Sequence, residues 1–181
     1  MGAGEVRLPY GLAARHSPTV EWLLRLGQRG DENNMNDHRT KVAIVPCSGI
    51  GKAYGTVSRE AAFGVTEDLR PADTQLVALS LLVLGDEEAR AVVTRNPAVT
   101  IDGCKLACAT KMVAESGGQV AFSLAVLDVY RRHRDLKPAG IAELNEAGQK
   151  LAQALAEEVA AQVDALISGP SPEEQAGGQH A

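Results

Sequence analysis

Three cysteines are the residues of this chain whose type and spacing could do chemistry. Cys104 and Cys108 lie in Ile101-Asp102-Gly103-Cys104-Lys105-Leu106-Ala107-Cys108, and Cys47 stands in Val45-Pro46-Cys47-Ser48-Gly49. Thiolate sulfur binds soft metal ions and attacks electrophiles, so these residues suit either task. Cysteines four apart on a helix share one face, with α-carbons about 6 Å apart, and their sulfurs can reach a common ion. A tetrahedral zinc takes thiolate sulfur at about 2.3 Å and accommodates both. The spacing predicts a helix from Cys104 to Ser116, with Leu106, Ala109 and Val113 buried and Cys104, Cys108 and Lys111 forming a stripe toward a site. Helix N-terminal amides lower a thiol pKa, and Cys47 and Cys104 are both expected just ahead of a helix. The bland alternative treats free cysteines as small buried hydrophobes. Asp102, next to the motif, is read either as the cap of the Cys104 helix or as a candidate fourth metal ligand.

Other motifs carry less. Pro46-Cys47-Ser48-Gly49-Ile50-Gly51-Lys52-Ala53 has the Gly-Lys ending of a phosphate-binding loop, but Pro46 stands where the first glycine belongs and Ala53 where the magnesium-binding hydroxyl belongs. A phosphatase reading of Cys47 lacks a nearby arginine to clamp the dianion, the first one after it being Arg59. His133 stands among arginines on a solvated surface, and His16 and His38 belong to no regular element. Glu87 and Glu88 read as first-turn helix carboxylates.

The elements that must position the cysteines alternate along the chain. Lys41 to Val45 reads as a buried strand ended by Pro46, and Thr56 as the cap of a helix running to Leu69, with Ala62, Val65 and Leu69 on one face. A second apolar run starts at Gln75. Gly85-Asp86-Glu87-Glu88 opens a helix that Asn96-Pro97 stops, and Val99 to Ile101 is a short strand leading into the cysteine motif. Gly117-Gly118 closes the next helix, and Val120, Phe122, Leu124 and Val126 alternate like a strand. This rhythm predicts an α/β fold with a small parallel sheet and right-handed crossovers. Cys47 and Cys104 would then meet at the sheet edge where open α/β folds place their sites.

After Pro138, Ile141, Leu144, Leu151, Leu155, Val159, Val163 and Leu166 mark a long amphipathic C-terminal helix, expected to pack on the sheet. Its alternative use is a homodimer through residues 141–167 as a coiled coil. Three segments follow: an N-terminal extension (1–39), either partly helical over Thr19 to Leu26 or flexible; the α/β domain with its C-terminal helix (40–168); and a disordered tail (169–181). Met35 is a candidate translation start, given the composition shift just after it.

Composition bounds the function. The 181 residues suffice for one well-buried domain with extensions, and with 45% apolar but only 3% aromatic residues its core must consist of Ala, Val, Leu and Ile. A net charge of -5 argues against general nucleic-acid binding, which needs a cationic surface. No stretch is long and apolar enough to predict a membrane span, and the N-terminus lacks the apolar core of a secretory signal. The expected location is the cytoplasm, where thiols stay reduced.

The Pro-Cys-Ser-Gly segment at 46–49, taken with Ile101-Asp102-Gly103-Cys104 and Cys108, resembles the DGC domain family of zinc-binding proteins, named for their Asp-Gly-Cys motif. The likeness runs from Lys41 to Asp135; 85–88 and 134–138 look like one subgroup, and residues 1–39 lie outside it. The resemblance implies a small α/β domain with cysteine-bound zinc and no established reaction. Its four-cysteine pattern maps onto Cys47, Cys104, Cys108 and a position in the second apolar run, where this sequence has Ala78 and Ser80 but no cysteine. A closed structural zinc site normally uses four protein ligands, so one position is left for water, Asp102 or an incoming ligand. An iron-sulfur cluster, another soft ion such as copper(I) or arsenite, and loss of the metal are the other readings.

The leading expectation is therefore a zinc-binding protein with ligands Cys47, Cys104 and Cys108. The first alternative is a thiol redox or transfer enzyme in which one cysteine attacks and another resolves. The second is an interaction protein that dimerises through its C-terminal helix.

Overall fold

The computed structural model describes residues 41–49 and 51–168. The expectations for the Thr19 to Leu26 helix, His16, His38, Met35 and the tail lie outside the described residues. Strand β1, Val42–Pro46, is buried along its whole length, as an apolar run covered on both faces must be. Helix α1, Ala53–Phe63, continues as a π-helical stretch, Gly64–Leu69. There follow β2 (Thr74–Leu76), α2 (Leu79–Leu84), α3 (Glu87–Arg95), β3 (Ala98–Asp102), α4 (Cys108–Glu115), β4 (Val120–Ala125), α5 (Val126–Arg132) and α6 (Glu146–Ile167).

The strands form one parallel sheet in the order β2-β1-β3-β4. Alternate residues of a strand point to opposite faces, which divides the core in two. Val42 and Ile44 of β1 and Val99 and Ile101 of β3 pack with α1, α5 and α6, whereas Ala43, Val45 and Ala98 pack with α2, α3 and α4. From β1 the chain goes to β2 on one side and then crosses to β3 on the other. The strand order therefore reverses between β1 and β3, and the crevice at their carboxyl ends is the place such sheets offer a ligand. Among the described residues, no helix is long and apolar enough to cross a membrane.

Several boundaries differ from expectation. The second apolar run divides into a three-residue strand and a helix, and leaves Val83 and Leu84 exposed. Helix α1 begins at Ala53, ahead of Thr56. Buried inside the helix, the Thr56 hydroxyl cannot cap it and instead donates to the Ile141 carbonyl at 2.7 Å. The π-helical stretch, seen in the Arg70 N–H bond to the Val65 carbonyl five residues back, rotates the helix face, so Val65 is buried but Leu69 is exposed. Asp86 caps α3 by accepting from the Ala89 N–H at 2.8 Å. Val126 belongs to α5 rather than to β4.

The long helix starts at Glu146, capped by Asn145, five residues after the exposed Ile141. It lies chiefly against α1 and the π-helical stretch, and Leu151, Leu155, Val159 and Val163 are fully buried in the domain's own core. None of these four side chains remains for a coiled-coil partner.

Candidate functional site

Cys47 is the first residue past β1. Its N–H bonds both to the Ile101 carbonyl at 2.8 Å and to Ser58 Oγ at 3.1 Å, while the Ser58 hydroxyl donates to that same carbonyl at 2.7 Å. The start of the cysteine loop is thereby locked to the end of β3, and the thiol residue itself is only 6% exposed. Beyond Cys47 the loop folds back over α1. A Cβ at Gly49 would stand 2.1 Å from the Gly55 Cα, a contact that only two glycines allow. Arg59 donates to the Ser48 carbonyl, and its Nη2 lies 3.2 Å from Thr56 Oγ1. An arginine thus does return to the loop, contrary to the sequence reading, but it grips backbone and a hydroxyl.

Cys104 follows β3 after Gly103, whose α-carbon backs onto the Tyr54-Gly55 peptide: a Cβ there would meet Gly55 N at 3.2 Å. The expected helix at Cys104 is absent. Residues 103–107 form a turn closed by the Ala107 N–H bond to the Cys104 carbonyl at 3.1 Å, and α4 begins at Cys108. Cys104 and Cys108 therefore do not stack on one helical face. Leu106, expected in the core, is exposed on the turn, whereas Ala109 and Val113 are buried as expected.

The reason lies at Ala107, which occupies the N-cap position with φ +53 and has no side chain to accept from the first-turn amides. Asp102 supplies that acceptor from the end of β3. Its Oδ1 takes the Ala109 N–H at 2.8 Å, and its Oδ2 takes the Thr110 N–H at 3.2 Å and the Thr110 hydroxyl at 2.7 Å. With the Thr110 proton committed to Asp102, the hydroxyls of Thr100 and Ser123, at 2.7 and 2.9 Å, donate to Thr110. An N-cap interaction contributes about 0.5–2 kcal/mol, and this buried one is braced by three further hydroxyls.

Access to the three thiols is graded: Cys47 is buried, Cys104 half-buried and Cys108 exposed. The Cys108 thiol is held above its ordinary value, first by desolvation and then by the negative charges of Cys47, Asp102 and Cys104, with Lys111 opposing them. Among the described residues, however, no three His, Cys, Asp or Glu side chains stand as a ready-made metal group. His133 ends α5 and holds only backbone carbonyls through its N–H, and Glu87 and Glu88 sit in the first turn of α3.

Sequence reasoning missed Ser58. Its signal was a serine flanked by Val57, Ala61 and Ala62 in a helix whose apolar face faces the sheet, where a hydroxyl has to find an internal partner.

Comparison with curated proteins and with solved structures finds no match to either. Compared with protein families, residues 43–148 match the DGC domain, which takes in β1 from its second residue, the other three strands, the three cysteines and the start of α6. That match covers more than half of the chain, and the chain belongs to the DGC domain family.

Proposed function

We propose that this protein binds a soft metal ion, zinc foremost, through the thiolates of Cys47, Cys104 and Cys108, with the fourth position open to water or an incoming ligand. One observation carries the reading: the Cys47 loop and the turn that runs from Cys104 to Cys108 grow from the neighbouring ends of β1 and β3, where the Cys47 N–H bonds to the Ile101 carbonyl at 2.8 Å. The donor set fits in kind, since thiolate sulfurs suit a soft ion better than a hard one. In arrangement it is not yet a shell. Binding would have to draw the 103–107 turn inward, while Cys47 stays pinned by Ser58 and Ile101. Because the thiols must lose their protons to bind, uptake weakens as pH falls. A bound zinc would supply Lewis acidity to whatever group completes its shell.

The reading belongs with a cytoplasmic location, where reduced thiols persist.

Elemental analysis of anaerobically purified protein, with thiols counted before and after chelation, tests the proposal. Metal near one per chain, with three thiols unmasked by the chelator, is the expected result. Metal far below stoichiometry under metal-replete conditions, with all thiols free throughout, overturns it.

A further inference from the structure

The geometry points to Asp102 as a positioning residue that sets Cys108 against the other two thiols, and not as a metal ligand. This inference rests on the three-thiol reading above for its metal-dependent part. Asp102 is 3% exposed and stands at the end of β3, on the strand that leads into Cys104. Its carboxylate spans the turn and accepts from the amides of Ala109 and Thr110, the two residues directly after Cys108. Cys108 is the first residue of α4, so the aspartate fixes the helix end that carries the thiol.

Both carboxylate oxygens are engaged by α4, and Oδ2 carries two of the three bonds. A shift of Asp102 toward an ion would uncap α4 at a position where Ala107 has nothing to offer in its place. It would also leave the Thr110 hydroxyl, on which Thr100 and Ser123 converge, without its acceptor. The hydrogen-bond network therefore holds the carboxylate in a supporting role, as partners just outside a metal shell commonly do. The fourth position is left to a group from outside the three cysteines and Asp102.

The test uses the full chain, titrated anaerobically with cobalt(II), whose thiolate charge-transfer bands count sulfurs and whose ligand-field bands report the shell. Asp102→Asn replaces one of the two carboxylate acceptors by an amide donor, and Thr110→Val weakens the same support without replacing any candidate ligand. Both variants are expected to bind cobalt about 10–100-fold more weakly with wild-type band positions. Altered ligand-field bands in Asp102→Asn, with Thr110→Val at wild-type affinity, would overturn the proposal, as would wild-type affinity in both.

If the wild-type chain takes up no cobalt, the metal reading fails by itself. Positioning is then read without metal, from alkylation of each cysteine. A severalfold change at Cys108 in both variants, with Cys47 unchanged, upholds the role of Asp102, and wild-type rates at Cys108 refute it. Thr110→Val keeps the test informative if Asp102→Asn does not fold.

Discussion

Ser58 Oγ lies 3.1 Å from the Cys47 backbone nitrogen and 2.7 Å from the Ile101 carbonyl oxygen, so one side chain of α1 ties together the strand ends from which the site grows. The bond joins two layers of the fold. It also explains why a hydroxyl with no exposed surface is tolerated in the middle of a helix: both of its partners lie in the sheet.

Ser58→Ala is expected to cost about 1 kcal/mol, the lower part of the range for a buried hydrogen bond, because the Cys47 N–H and the Ile101 carbonyl still hold each other. The Cys47 thiol should also be alkylated faster. Urea unfolding and mass-resolved labelling measure the two effects, and wild-type behaviour in both would remove Ser58 from the account of the site.

Much of this architecture is legible in the residues themselves. Buried β1 and β3 show as apolar runs, Asp86 and Asn96-Pro97 punctuate α3, and β4 shows in its alternation. These signals are local. The start of α4 was not legible, because it depends on an aspartate six residues earlier reaching across a turn to cap a helix whose own cap residue is alanine. Helix propensity over 104–107 is real, but it loses to that tertiary bond, and the expected pairing of Cys104 with Cys108 is lost with it. The convergence of Cys47 with the Cys104 turn was legible only through the parallel-sheet rule, which places both after adjacent strands.

The cysteine loop makes a sharper prediction. Gly49 and Gly55 touch so closely that a Cβ on either would stand 2.1 or 2.2 Å from the other's Cα, with no flexible side chain to give way. Gly51, two residues along, has open space around its Cβ position and a φ of +83. Gly55→Ala should therefore cost roughly 2–3 kcal/mol or more, the scale of overpacking in a fixed backbone. Gly51→Ala should cost about 1–2 kcal/mol, the left-handed penalty alone. Thermal unfolding of both variants decides, and equal losses would mean that the Gly49-Gly55 contact does not set the loop.

The ion pair between Arg70 and Asp164 predicts an acid-side effect. Two bonds of 2.6 Å join the guanidinium, at the end of the π-helical stretch, to the carboxylate on α6. The side-chain hydrogen bond from Arg70 is the first cause holding the Asp164 carboxyl below its usual range. A carboxyl lowered in the folded state contributes stability above its unfolded value and loses it as pH falls through the folded one. Asp164→Asn should therefore lower the melting temperature near neutral pH and converge with wild type as pH falls through the lowered Asp164 value, beneath the ordinary carboxylate range. Because both groups are solvated, salt should shrink the neutral-pH difference. A gap that persists at low pH would show that the asparagine acts through packing instead.

The buried seam of α6 separates a structural helix from a dimerising one. Leu155 has no exposed surface and lies in the core that α6 shares with α1 and the first sheet face. Removing its branched side chain should leave a cavity and cost about 2–5 kcal/mol, a range that reflects how far the neighbours relax. The flanking Ala152, Ala156 and Ala160 are small, so they have little volume with which to fill the gap. If the helix serves the fold alone, Leu155→Ala shifts unfolding but leaves the molar mass of the folded protein, measured by light scattering, at the wild-type value. A dimer seam would behave differently: the wild-type mass would rise with concentration, and the substitution would lower it toward one chain before the fold melted. Because Leu151, Leu155, Val159 and Val163 are all buried within one chain, the first outcome is expected.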